Sequence, residues 1–244
     1  MQNFKVLTIC VTVFLSATAA KVPSVTGYAD GVLGLGLDTS STLQNATSSL
    51  NDTTARTFLA GVFALHPSES NYFAISLGRS KDIKSERYGA LYIGEVDTEH
   101  VAVLDAPSLA VVNGTKSWTI EVEAVTVAGT KHAAKQRALI ETGSSYVYLA
   151  EAAITSIYSS ISGAKYDSDL GVWFAPCLNQ TTVSFTIGGR EYAINPLDLT
   201  QPTLGALSDG TDATFCLNKF RAGKATDQYD IILGDAFLRN TFTV

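Results

Sequence analysis

The run Arg137-Ala138-Leu139-Ile140-Glu141-Thr142-Gly143-Ser144-Ser145-Tyr146-Val147 sets an acidic side chain directly after an apolar, strand-like segment and directly before a Thr-Gly turn. A carboxyl so placed is suited to general acid–base work, because the strand fixes where it starts and Gly143 lets main-chain N–H groups approach its oxygens. The Ser144 hydroxyl is expected to donate a further hydrogen bond to the Glu141 carboxylate. As an isolated motif, however, these residues describe no more than an exposed glutamate opening a β-turn.

Other reactive side chains are few. Residues 1–20 carry a lone basic residue, Lys5, then the apolar run Val6 to Leu15, then the small residues Ser16-Ala17-Thr18-Ala19-Ala20. That pattern predicts a cleaved secretory leader, the alternative being a buried strand; the apolar run is about half the ~20 residues a membrane helix needs, so no stable membrane span is expected. A secreted, extracellular protein follows, and the sequons at Asn45, Asn51, Asn113 and Asn179 are its candidate glycosylation sites. Loss of the leader removes Cys10 and leaves Cys177 and Cys216, an even pair in an oxidising compartment that is expected to form one disulfide. Neither cysteine has a second Cys or His at zinc spacing, and His66, His100 and His132 stand apart, so no metal site is expected.

The elements that must hold these residues read as β-structure. Apolar positions alternate at Phe73, Ile75, Leu77, at Leu91, Ile93, at Ile120, Val122 and at Val183, Phe185, Ile187, as half-buried strands require. Turn signals at Ala128-Gly129-Thr130, Gly188-Gly189 and Ser208-Asp209-Gly210 separate them. Two stretches break the period: Thr54 to Phe63, and Glu151 to Ile161, where Ile154, Ile157, Tyr158 and Ile161 repeat at helical spacing. Both predict short surface helices packed on sheets, within a largely antiparallel architecture. With 46% hydrophobic and 16% charged residues the chain is globular, and 17 Lys+Arg against 23 Asp+Glu, for a net charge of -6, excludes a basic nucleic-acid surface. Two segments of the chain echo each other, Gly31-Val32-Leu33-Gly34 and Asp230-Ile231-Ile232-Leu233-Gly234. Taken by themselves they are two buried strands ending in glycine turns.

In their joint order these segments resemble the pepsin-like aspartic proteases. The resemblance runs through Ala29-Asp30-Gly31-Val32-Leu33-Gly34-Leu35-Gly36, Phe73-Ala74-Ile75-Ser76-Leu77, Gly89-Ala90-Leu91-Tyr92-Ile93-Gly94-Glu95-Val96-Asp97 and Trp118-Thr119-Ile120. It continues through Ala138-Leu139-Ile140-Glu141-Thr142-Gly143-Ser144-Ser145, Cys177 with Cys216, and Ile231-Ile232-Leu233-Gly234-Asp235-Ala236-Phe237-Leu238-Arg239. It implies an all-β, pepsin-like acid-protease fold with one complete-looking C-terminal lobe and a partial N-terminal lobe. The expected division is a leader at 1–20, the partial N-terminal lobe with the interlobe strands at 21–97, and the C-terminal lobe, lacking its closing strand, at 98–244. It also implies that Ile232-Leu233-Gly234 flanks the Glu141 loop, and that Val32-Leu33-Gly34 is the corresponding strand of the first lobe. The implied activity is cofactor-free hydrolysis of polypeptides at acid pH by a carboxylate pair, Glu141 standing in the catalytic position with Thr142, Gly143 and Ser144 as its supporting loop.

Three departures bear on that activity. No Asp-Thr-Gly occurs upstream of residue 32, Glu141 stands where the family has its second catalytic Asp, and the chain stops at Thr243-Val244, before the family's closing strand. The family's chemistry needs two carboxylates sharing one proton, one acting as base on water while the other donates to the scissile carbonyl. One carboxylate cannot divide those roles. The chain is therefore read as an aspartic endopeptidase family member that is inactive or impaired as it stands. Three forms of that reading are open: an acid endopeptidase represented by part of its polypeptide, a non-catalytic secreted peptide- or protein-binding relative, and a homodimer in which two Glu141 loops meet across a two-fold axis, as two identical loops do in the retroviral proteases.

Overall fold

A computed structural model of the chain describes residues 33–41, 57–78, 89–132, 135–202, 215–223 and 225–244. The leader, Asn45, Asn51 and the Ser208-Asp209-Gly210 turn lie outside the described residues. The chain divides into two compact units, Met1–Asn71 and Tyr72–Val244. In the first, helix α1 (Phe58–Leu65) starts where the Thr57 hydroxyl accepts a hydrogen bond from the Ala60 amide at 3.3 Å. That cap sets the helix later than the apolar pattern from Thr54 suggested. The same hydroxyl donates to the Asp38 carboxylate, tying α1 to the 3-10 turn Asp38–Ser40. Of the segment Gly31-Val32-Leu33-Gly34, Gly31 and Val32 also lie outside the described residues; Leu33 and Gly34 lie in no regular element, and Leu33 is 54% exposed.

Among the described residues, the second unit shows sixteen strands in four sheets. A three-stranded antiparallel sheet has the order β16 (Phe242–Thr243), β1 (Phe73–Ser76), β2 (Ala90–Ile93). Because Ile75 pairs with Thr243 and Ser76 with Phe242, the β1–β2 hairpin is joined to the last strand of the larger unit. Ala74 is the fully buried residue of β1, and Leu91 of β2 is exposed rather than half-buried. A four-stranded sheet runs β11 (Arg190–Ile194), β10 (Val183–Ile187), β4 (Ala124–Val127), β5 (Thr130–His132). Its two hairpins turn at Ala128-Gly129, with φ 47° and 81°, and at Gly188-Gly189, with φ 57° and 72°. Paired left-handed residues match the twist of the flanking strands, which is why glycine recurs at these turns.

A second four-stranded sheet runs β12 (Thr200–Pro202), β13 (Phe215–Asn218), β9 (Val172–Pro176), β8 (Lys165–Asp167). Cys216 pairs in register with Ala175, which brings its side chain to Cys177, and the expected disulfide is formed across 39 residues. Closing a loop of that size stabilises by roughly 3–4 kcal/mol. The third large sheet, β14 (Phe220–Ala222), β7 (Val147–Leu149), β15 (Ile231–Leu233), β6 (Gln136–Ile140), β3 (Thr119–Val122), mixes parallel and antiparallel pairs. No helix among the described residues is long and apolar enough to cross a membrane.

The core sits between these sheets around Phe185, which meets Phe237 edge-on at 5.2 Å and Phe220 at 6.3 Å. Helix α2 (Glu151–Ser159) buries Ile154, Ile157 and Tyr158 against this core, and Ile161 follows just beyond its end, as the helical spacing required. Tyr158 is polar and fully buried. Its hydroxyl donates to the Leu199 carbonyl at 2.6 Å and accepts from the Phe220 amide at 3.0 Å, and burial pushes the phenol far above its ordinary pKa. Leu199 keeps a second partner, the Lys219 amide, but the Phe220 amide depends on the tyrosine. Tyr158→Phe is expected to cost about 1–3 kcal/mol, read as a lowered midpoint in urea unfolding with unchanged slope; a midpoint equal to the parent's would contradict this assignment.

Candidate functional site

Strand β15 lies between the two strands that carry the acidic loop. It runs parallel to β6, with Ile231 opposite Ala138 and Leu233 opposite Ile140, and antiparallel to β7, with Leu233 opposite Val147. The chain leaves β6 at Ile140, passes over the end of β15 and returns as β7. Two main-chain bonds fasten this crossing on either side of Gly234: the Glu141 amide donates to the Leu233 carbonyl at 3.2 Å, and the Asp235 amide donates to the Ser144 carbonyl at 2.8 Å. Ile232-Leu233-Gly234 therefore flanks the Glu141 loop as the resemblance implied.

Gly234 is required by space. Its φ of -91° is open to any residue, but a Cβ there would lie 2.3 Å from both the Ser144 and the Tyr146 carbonyl oxygens. Backbone passes directly against backbone. Helix α3 (Asp235–Leu238) starts immediately afterwards and drives Ala236, Phe237 and Leu238 into the core, so the crossing is anchored from below.

Within the loop, the Gly143 amide donates to Glu141 Oε1 at 2.6 Å, and the Ser144 amide reaches the Glu141 carbonyl at 3.3 Å. A Cβ on Gly143 would sit 2.7 Å from Glu141 Oε1, so the glycine gives the carboxylate its room as well as its donor. Glu141 is half-buried, while Thr142 and Gly143 are exposed. The Ser144 hydroxyl does not reach the carboxylate. It donates to the Tyr146 carbonyl at 3.0 Å and accepts from the Tyr146 amide at 3.3 Å, so it stiffens the return of the loop into β7.

Three supports were not anticipated from the sequence. Arg137 clamps the start of β6 to the start of β15: its amide donates to Asp230 Oδ2 at 2.8 Å, its guanidinium to both Asp230 oxygens at 3.3 and 2.9 Å, and further to the Asp227 and Thr226 carbonyls. The signal was present, since Arg137 and Asp230 stand one residue before Ala138 and Ile231, which pair. Tyr146 carries the Arg221 guanidinium over its ring at 3.9 Å and receives the Gln201 side-chain amide at 3.3 Å. Around α3 lies a set of charges in which Lys219 and Asp198 are buried. Burial holds the Lys219 ammonium below its ordinary pKa, with Arg239 adding to the effect and Asp198 and Asp235 opposing it. Burial likewise raises the Asp235 carboxyl against the pull of Arg239 and Lys219.

Cys177 and Cys216 lie in the other sheet system, apart from this loop in the topology. Of the sequons, Asn113 is exposed, whereas Asn179 is buried, its side-chain nitrogen donating to the Pro196 carbonyl at 3.2 Å.

Two expectations follow for the crossing. Gly234→Ala drives a methyl into two carbonyl oxygens and is expected to destabilise by roughly 3 kcal/mol or more, read as a lowered thermal midpoint; an unchanged midpoint would mean that the crossing is looser than described. The Arg137 guanidinium, by hydrogen bonding first, holds the Asp230 carboxyl below its ordinary value against the opposing effect of burial. A carboxyl depressed in the folded state contributes stability that is complete above its unfolded pKa near 4 and is lost as pH falls through the folded value. Unfolding free energy is accordingly expected to fall below about pH 4, with a shallower fall in Asp230→Asn; equal slopes would contradict the clamp.

A family model described as eukaryotic aspartyl protease matches residues 2–244. The aspartic-type endopeptidase ctsD of Aspergillus fumigatus is 29% identical over 217 residues, which cover 88% of this chain and 41% of that protein. The probable aspartic-type endopeptidase CTSD of Arthroderma otae is 27% identical over 236 residues, 96% of this chain and 56% of the relative. Endothiapepsin of Cryphonectria parasitica is 27% identical over 217 residues, 88% and 46% respectively. The chain thus spans about half the length of the curated relatives it matches. With the match running along nearly its entire length, the chain belongs to the eukaryotic aspartyl protease family.

Proposed function

We propose that the chain supplies one acidic loop of a secreted aspartic-type endopeptidase site acting on polypeptides, with Glu141 in the reacting position, and that by itself it hydrolyses peptides poorly or not at all. The observation that carries this reading is the Gly143 amide on Glu141 Oε1 at 2.6 Å, on a loop pinned at Gly234. A carboxylate held this way on rigid backbone is what acid–base catalysis needs from one of two partners. Thr142, Gly143 and Ser144 are its supporting loop. Secretion is supported by the leader-like residues 1–20 and by an intact disulfide between Cys177 and Cys216.

The expected impairment has two physical sources. Amide hydrolysis by this chemistry divides labour between a base that takes a proton from water and an acid that gives one to the scissile carbonyl, and one carboxylate cannot hold both states at once. No Asp-Thr-Gly triplet occurs in the 244 residues to provide the second. The extra methylene of glutamate also moves the reacting oxygens by about 1 Å, a displacement that costs on the order of 100-fold in rate. Glu141→Asp corrects the reach without adding a partner.

The test is an assay of the purified chain on a denatured protein at roughly pH 3–5, where carboxylates exchange protons. The expected result is no cleavage sensitive to a pepstatin-type inhibitor beyond that of Glu141→Gln, and no recovery in Glu141→Asp. Brisk, inhibitor-sensitive cleavage that Glu141→Gln abolishes would show that a second carboxylate is supplied from elsewhere in the chain. Saturable retention of a polypeptide that survives Glu141→Gln would instead assign the scaffold to binding.

A further inference from the structure

The sequons Asn113-Gly114-Thr115 and Asn179-Gln180-Thr181 are identical in what the sequence motif requires, and the fold treats them oppositely. Asn113 and Gly114 occupy the two central positions of a turn closed by the Thr115 amide on the Val112 carbonyl at 3.3 Å. The Thr115 hydroxyl donates to the same carbonyl at 2.7 Å, and Gly114 takes the left-handed conformation, φ 83°, that such a turn demands of its second central residue. The turn projects Asn113 into solvent. Its base is secured by the Val112 amide on the Thr119 carbonyl at 2.8 Å, so a bulky group at Asn113 disturbs nothing beneath it.

Asn179 is 6% exposed, and its side chain has structural work. Its Nδ2 donates to the carbonyl of Pro196, which opens the 3-10 helix Pro196–Leu199, while its Oδ1 accepts from the Thr181 amide at 3.3 Å. That helix presents the Leu199 carbonyl to the buried Tyr158 hydroxyl and carries buried Asp198. A sugar on Asn179 Nδ2 has no route to water without breaking the Pro196 contact and lifting the helix from the core.

We infer that Asn113 is an N-glycosylated residue of the folded protein and that Asn179 is a structural asparagine that folded molecules carry unmodified. The inference rests on the secretory route proposed above. The chemistry is transfer from a lipid-diphosphate-linked oligosaccharide: a bond forms between Asn113 Nδ2 and the sugar C1, the bond from C1 to the diphosphate oxygen breaks, the lipid diphosphate leaves, and the amide nitrogen gives up one proton. Transfer precedes folding, so the fold acts afterwards, as a filter on which modified chains reach a compact state.

The experiment expresses the full chain in eukaryotic cells twice, once with its own residues 1–20 and once with these replaced by an unrelated secretory leader. Glycans are removed enzymatically in heavy-oxygen water, which marks each formerly occupied asparagine, and the folded, exported pool is mapped by mass spectrometry. The expected result is a mark at Asn113 and none at Asn179, with Thr115→Ala removing one glycan and Thr181→Ala leaving the glycan mass unchanged. A mark at Asn179 in the folded pool, or an unmarked Asn113 in the form carried by the unrelated leader, overturns the inference. Marking of Asn113 only with the unrelated leader refutes the secretory reading and upholds the site.

Discussion

The contact on which the rest of the site depends is the passage of main chain over main chain at Gly234. Two carbonyl oxygens of the Glu141 loop lie where any side chain at that position would begin. Because the loop and strand share hydrogen bonds on both sides of the glycine, neither can move without the other. This closeness is what turns a surface loop into a rigid mount. A loop bearing a carboxyl is ordinary; a loop whose two ends are adjacent to the same central strand, one parallel and one antiparallel, has its direction fixed by the sheet. The Arg137–Asp230 clamp sets the register at the far end of the same strand pair, so both ends of β6 and β15 are determined.

Beneath the crossing, charge rather than hydrocarbon fills part of the volume. Lys219 and Asp198 are buried, and Asp235 and Arg239 flank them on and beside α3. Burying such groups is costly unless they satisfy one another, and their presence so near the loop makes its base sensitive to any change that unbalances them. The catalytic question is separate from this architecture. The mount is intact, and the described residues show one acidic loop of this kind, with a glutamate upon it; acid–base hydrolysis of an amide asks for two such mounts facing each other.

Much of this was legible in the order of residues. Alternation at Val183, Phe185 and Ile187 produced a buried strand, the period-3.6 pattern at Ile154, Ile157 and Tyr158 produced a helix, and the paired cysteines produced a disulfide, because each is decided by local spacing or by parity. What local spacing does not contain is the company a segment keeps. Leu33-Gly34 has the same character as Leu233-Gly234, but among the described residues the latter pair has strands on both sides and continues β-structure, whereas the former lies in no regular element. Ser144 looks like a ligand of Glu141, but its hydroxyl is held by both the carbonyl and the amide of Tyr146, main-chain partners that the motif does not reveal. Asn113 and Asn179 differ in burial and in what their side chains hold, properties of the folded chain that three-residue motifs do not record.

Amide hydrogen exchange of the native chain, resolved residue by residue, probes the crossing most directly. Bonds that hold the loop to β15 open only when the unit unfolds, so the amides of Glu141 and Asp235 should exchange as slowly as the core amide of Phe220. Exchange at Glu141 and Asp235 as rapid as that of the exposed turn amides at Asp169 and Leu170 would contradict the account, because the carboxylate would then sit on a loose loop instead of a fixed mount.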